Sequence, residues 1–373
     1  MKTLMKGLVL SLALVLGAGP ALADTIKIGV AGAHSGDLAS YGLPAVNAAK
    51  LVAEKVNAQG GVNGMMVEVQ AEDDQCKPEM ATNAATKLVS DKATVIIGHI
   101  CSGATKAALP IYKAANLVVM SPSATNPPLT KSGEFPNFFR TIATDDEQGP
   151  ALAAFAANKL NLKKVAIIHD KGDYGKGVAE FCKAAMEKAG KVKVVLFEGI
   201  GADQVDYAAV IQKIKQAGAE GVVYGGYHPG ASKLISQMRK KKIAIPFLTD
   251  EGVQGPDFLK LAGNDAEGAY ATGLIDVSGN AMYKAAAEAH QKAFGTAETG
   301  LFFAQAYAAT QSLLNAIDKA KSTKYEDIMK ALHTETADTC LGKIKFNAQG
   351  DAQAEGVGFS VYQVKNGKWE LNK

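Results

Sequence analysis

The strongest constraint in this chain is an alternation. Short apolar runs rich in β-branched residues are followed by longer stretches with apolar residues at helical spacing, and the whole series occurs twice. In the first series, residues 26–30, 65–69, 94–97 and the run from Leu117 read as strands. Residues 43–56, 78–90 and the stretch opening at Ser102 read as helices, with Pro78 suited to a first helical turn. Unbroken apolar runs such as 94–97 are buried on both faces, which implies a parallel sheet covered by helices on each side. The pattern resets around residues 141–149, with a helix at 151–160. A second series follows, with strands at 164–168, 192–197, 221–225, 246–248 and 269–273. Its helices lie at 174–189, 207–217 and 231–241. After Gly273 the chain is helical at 281–294, 301–320 and 325–332, then turn-rich and β through Gly342, Gly350 and Trp369. The fold class expected is α/β, with two Rossmann-like lobes in tandem.

The first 23 residues stand apart. Lys2 and Lys6 precede an apolar run at 8–16, and Ala21-Leu22-Ala23 is a small-residue cleavage site, so the segment reads as a secretory signal peptide cut after Ala23. No later stretch reaches the ~20 apolar residues of a membrane helix. The formal charge of +3 falls to +1 once Lys2 and Lys6 are removed, and Arg140 and Arg239 are the only arginines. Nucleic-acid binding needs concentrated positive charge, and none is present. The basic cluster at 239–242 ends a helical stretch, where the helix dipole favours cations.

Several motifs of chemistry are missing. Residues 172–177 lack the phosphate-loop spacing, and residues 29–36 lack the dinucleotide fingerprint. The six histidines and four cysteines show no metal-ligand spacing, so neither a metal nor a cofactor is expected. A nucleophile at Ser102 with His99 as base would imply a secreted amide hydrolase. No acidic orienter for His99 is evident, so no enzyme is expected. What remains is a set of polar and aromatic residues just after strands. Ser102 follows the strand 94–97, where it can either cap its helix or help a helix N-terminus hold an anion. Ser121, Ser123 and Thr125 follow the next strand. Tyr41, Tyr174, Tyr227 and Glu251 also stand just beyond predicted strands, the position at which doubly wound sheets bind ligands. Hydroxyls and N–H groups from one lobe suit a carboxylate, and an acid from the other suits an ammonium. The tyrosines would wall the space between.

The stretches GAHSGDLASYG, GGVNG, EDDQCKP, GHICSGATK, SPSATNP, IIHDKGDYGKG, VYGGYHP and DEGVQGPDF resemble the branched-chain amino-acid-binding proteins of bacterial ABC importers, from about Ile26 to Trp369. The resemblance implies a type I periplasmic-binding fold with a three-crossover hinge. It places residues 24–144 plus 274–354 in lobe one, and 145–273 plus 355–373 in lobe two. It implies that Ser102 and Thr125 hold the ligand's carboxylate and ammonium, with Ser123 giving a backbone carbonyl and Ala124 beside it. Tyr174, Tyr227 and Glu251 match second-lobe residues, the acid pairing the ammonium on closure. Tyr41 stands where the family often has tryptophan, and His34 and His228 also depart from some relatives. The implied protein is a periplasmic monomer that passes an aliphatic amino acid to a membrane permease. Another amino acid, an amide, a small carboxylic acid or a chemoreceptor partnership stays open. The resemblance also implies a Cys76–Cys101 disulfide. Cys182 and Cys340 are left over, and an even count in an oxidising compartment suggests that they pair.

Overall fold

The computed structural model describes residues 25–201, 203–297 and 299–372; the leader read at 1–23 lies outside them. The first series forms a parallel sheet of β1 (Ile26–Gly32), β2 (Val67–Asp73), β3 (Val95–Gly98), β4 (Val118–Ser121) and β5 (Phe138–Arg140), in the order β2-β1-β3-β4-β5. Every residue of β3 and β4 is buried, as their unbroken apolar runs require. The second series forms β6 (Lys164–His169), β7 (Lys193–Gly199), β8 (Gly221–Gly225), β9 (Phe247–Thr249) and β10 (Tyr270–Leu274). A small antiparallel sheet of β11 (Ala337–Thr339), β12 (Gly342–Phe346) and β13 (Ala352–Gln353) follows. The last strands, β14 (Phe359–Lys365) and β15 (Lys368–Leu371), return to the second sheet as an antiparallel edge, in the order β15-β14-β10-β9-β8-β6-β7. The second sheet is therefore mixed, whereas the strand–helix alternation implies a parallel one.

Successive residues of β6 serve opposite faces. Val165 and Ile167 join a core with Leu152, Phe155 and Val178, while Ala166 and Ile168 join another with Leu234, Ile235 and Phe258. Each of these Val, Leu, Ile and Phe side chains contributes about 1.5–3 kcal/mol when fully buried. The late helices cover the first sheet: Leu313, Leu314 and Ile317 of the helix Phe303–Ala320 share a core with Ile28, Val95 and Val119. That return is invisible to local spacing, because it joins residues more than 190 apart in the chain.

Two glycine positions set the approach of backbone to site. Gly98 ends β3 at φ +123°, and a Cβ there would lie 2.1 Å from the Ala31 carbonyl oxygen, so only glycine makes this exit. Gly175 meets Gly225 so closely that a Cβ on the first would lie 2.5 Å from the carbonyl oxygen of the second. This contact seats the helix Asp173–Ala189 on the end of β8 and brings Tyr174 to the cleft.

Cys76 and Cys101 are disulfide-bonded, with Cα atoms 5.4 Å apart. The bridge ties the loop after β2 to the loop that carries Ser102. Closing 25 residues contributes about 3 kcal/mol in the chain-entropy account. A Cys76→Ser, Cys101→Ser variant is expected to lose about that much unfolding free energy in urea; an unchanged denaturation curve contradicts it. The second pairing suggested by the cysteine count does not occur. Cys182 and Cys340 are free and buried in the separate cores of the two lobes, and burial pushes both thiols up to about 12.

Candidate ligand-binding cleft

The loops after β1, β3 and β4 face those after β6, β8 and β9 across one cleft, at the carboxyl ends of both sheets. Tyr41, Ile100, Ser102, Ser123, Tyr174, Tyr227, Glu251, Gly252 and Phe302 enclose a cavity of about 10 Å³, room for about one water. The lobes are thus closed onto each other. Six of the expected residues meet at this cavity. Ala124 and Thr125 are fully buried but do not line it.

On the first lobe, hydroxyls stitch the two loops together. Ser121 Oγ donates to the His99 carbonyl at 2.6 Å and accepts from the Ala124 N–H at 2.9 Å. Ser123 Oγ donates to the Ile100 carbonyl at 2.7 Å. Ser102 is not the helix cap that its position allows. Cys101 occupies the cap position, no side chain caps the helix, and Ser102 Oγ instead accepts from the Asn126 N–H at 3.3 Å. The first-turn N–H groups of this helix are not consumed by helix bonds, which suits an anion.

On the second lobe, Glu251 is fully buried. Its Oε2 accepts from the Tyr174 hydroxyl at 2.5 Å, and its N–H donates to Gln148 Oε1 at 2.9 Å. Burial pushes its carboxyl up to about 7, against the pull of the Tyr174 bond. The neighbouring Asp250 is held well above the usual carboxylate range by burial and then by Glu251. Tyr227 lies between the other two aromatic walls, 5.8 Å from Tyr41 and 5.1 Å from Tyr174 by ring centroids.

Direct bonds cross between the lobes at both rims. The Tyr41 hydroxyl donates to the Gly252 carbonyl and lies 2.6 Å from His228 Nδ1. At the other rim, Asn126 Nδ2 donates to the Asp173 carbonyl at 2.7 Å, and Lys106 pairs with the Asp173 carboxylate at 3.0 Å. Tyr41 therefore both walls the cavity and fastens it. His34 makes no such crossing; its N–H donates to Asp73 on its own lobe.

His99 corrects the sequence reading. It is buried and it has an acidic partner: Asp74 Oδ2 lies 2.5 Å from its Nδ1. Its Nε2 faces the Tyr112 hydroxyl at 3.0 Å, and Ser102 is bonded elsewhere. The base–nucleophile bond that a hydrolase needs is thus not made. Ile100, Gly252 and Phe302 are the lining residues that sequence reasoning missed. Phe302 has a left-handed φ of +66° just before its helix, a conformation that a bulky side chain rarely adopts and that nothing in its local sequence announces.

The family model for periplasmic binding proteins matches residues 25–368. The chain is 36% identical over 341 residues to the leucine-, isoleucine-, valine-, threonine- and alanine-binding protein of Pseudomonas aeruginosa, covering 91% of this chain and 90% of the relative. It is 35% identical over 362 residues to the leucine-specific-binding protein of Salmonella typhimurium, covering 97% and 96%. Among solved structures, it is similar to the branched-chain amino acid transporter substrate binding protein of Streptococcus pneumoniae in complex with isoleucine. That match has a TM-score of 0.82 and 29% identity, and covers 93% of this chain and 98% of the other. A leucine binding protein of Thermotoga maritima aligns with a TM-score of 0.85 and 25% identity, covering 94% and 98%.

Proposed function

The chain belongs to the periplasmic binding protein family, and from that premise we propose that it is an exported receptor that closes its two lobes on a branched-chain aliphatic amino acid and delivers it to an ABC permease. The observation that carries this reading is Glu251, a fully buried acid of one lobe facing the Ser102 and Ser123 loops of the other across an aromatic-walled cavity. A zwitterion fits that polarity: N–H groups and hydroxyls for its carboxylate, Glu251 for its ammonium. Ile100 and Phe302 give the aliphatic side chain an apolar wall. The lobes follow the boundaries 24–144 plus 274–354 and 145–273 plus 355–373. The matched family and relatives are binding proteins. A receptor without catalysis agrees with the His99 bond to Tyr112, which leaves Ser102 without a base. The leader at 1–23 directs it to the periplasm, where it works as a monomer.

The cavity holds about one water, so entry requires the lobes to part, and the rim bonds of Tyr41 and Asp173 reform on closure. A thermal-shift screen against the twenty common amino acids tests the reading. Leucine, isoleucine and valine are expected to raise the melting temperature, a ligand at 100 times its dissociation constant stabilising by about 2.7 kcal/mol. A shift confined to acidic, basic or aromatic amino acids, or none at all, overturns the assignment.

A further inference from the structure

Asp145 begins the helix Asp145–Asn158, where the chain first passes from one sheet to the other. It is fully buried. Its Oδ1 accepts one bond, from Gln148 Nε2 at 3.1 Å, while its Oδ2 has no partner in hydrogen-bond geometry. The hydroxyl of Thr125, equally buried, faces this carboxyl and draws it down as a hydrogen-bonding neighbour, but it too has no partner in full bonding geometry. Three titratable groups face Asp145: Glu251 after β9, Tyr174 on the helix Asp173–Ala189, and Arg140 at the end of β5. Arg140 is the one cation of the three, and it is committed elsewhere. Its Nε binds Asp351, its Nη1 the carbonyls of Ala124 and Asn126, and its Nη2 the Thr130 hydroxyl. A buried carboxylate oxygen without a donor is costly, and natural structures keep few of them.

Gln148 connects this orphan to the acid of the binding site. Its Nε2 donates to Asp145, while its Oε1 accepts from the Glu251 N–H at 2.9 Å and from Thr272 Oγ1 at 2.6 Å. One amide thus fixes both acids in relation to each other. We propose that Asp145 is a second carboxylate of the ammonium subsite, so that the cationic group of the ligand is shared by Thr125, Asp145 and Glu251. An ammonium has three N–H donors, and these three side chains offer three acceptors; the Thr125 hydroxyl and Asp145 Oδ2 have no neighbour in full bonding geometry in the closed protein and face only each other. Parting of the lobes is what admits the ligand to this end of the cleft. The inference rests on the receptor reading above.

Burial, then Glu251, holds the Asp145 carboxyl well above the usual carboxylate range. An arriving ammonium favours the ionised carboxyl, so binding shifts Asp145 towards losing its proton. Isothermal titration of the purified protein with L-leucine, in two buffers of different ionisation enthalpy, reads affinity and proton release together. Asp145→Asn is expected to bind at least about tenfold more weakly, as loss of a charge-assisted bond implies, and to release fewer protons than the wild type. Glu251→Gln, which keeps Asp145, is expected to go on releasing protons, and this arm holds even if the Asp145 variant fails to fold. Equal affinity in Asp145→Asn, weaker affinity with unchanged proton release, or Glu251→Gln releasing none overturns the role of Asp145 alone. A wild type that binds no leucine overturns both this inference and the receptor reading.

Discussion

Glu251→Gln is expected to weaken leucine binding roughly 150- to 4,000-fold, the equivalent of the roughly 3–5 kcal/mol lost when one partner of a buried ion pair is removed. The acid is fully buried and bonded to Tyr174 on its own lobe, so it is already aimed when the ligand arrives. On the receptor reading proposed above, lobe one takes the ligand while the cleft is open. Glu251 then acts in the closed state, where water is excluded and its attraction to an ammonium is strengthened. The loss should therefore fall on the dissociation rate rather than on association, as stopped-flow fluorescence would show. The pH dependence follows from the same group. Only the ionised acid pairs with an ammonium, and burial pushes its carboxyl up to about 7, so wild-type affinity should fall as pH drops below that value. The ligand-free protein behaves in the opposite sense. A carboxyl raised on folding gives stability that is complete below its unfolded pKa of about 4.5 and is lost as pH rises through about 7. Glu251→Gln should flatten both profiles near pH 7. A variant that closes and releases leucine as the wild type does would make Glu251 a bystander.

Arg140→Ala is expected to cost about 3–5 kcal/mol of stability, because it strips a buried carboxylate of its partner. The guanidinium is fully buried. It binds Asp351 of the late β segment at 2.6 Å and the carbonyls of Ala124 and Asn126 at 2.9 Å. It therefore joins the loop that presents Ser123 and Thr125 to a segment 211 residues beyond Arg140 itself. Arg140→Lys should rescue little of the loss, since a single ammonium cannot reproduce a planar fork of bonds. Urea denaturation measures the stability and calorimetry the accompanying drop in leucine affinity. A wild-type denaturation midpoint in Arg140→Ala would show that Asp351 and the loop are held by other means.

The strand–helix series was legible in the chain because its signals are local. Periodicity and β-branched runs mark β1–β4 and β6–β10, and strand ends then locate Tyr41, Ser102, Tyr174, Tyr227 and Glu251. The eight ordered motifs point to the family for the same reason: each is a short stretch read in place. Tertiary structure decided the rest, because local sequence does not encode distance between remote residues. β5, at three residues, is too short for a period to register, and β14 pairs antiparallel with β10 across the whole segment that separates them in the chain. Cysteine arithmetic could not see that Cys182 and Cys340 lie in different cores. Ser102 is freed from capping by the Asn126 N–H, 24 residues on, and His99 gains Asp74, 25 residues back. Asp145, Gln148 and Phe302 became candidates only when the fold of each lobe brought them within reach of Glu251 and Tyr41. Burial then set their chemistry, because desolvation depends on what surrounds a group in space and not on its neighbours along the chain.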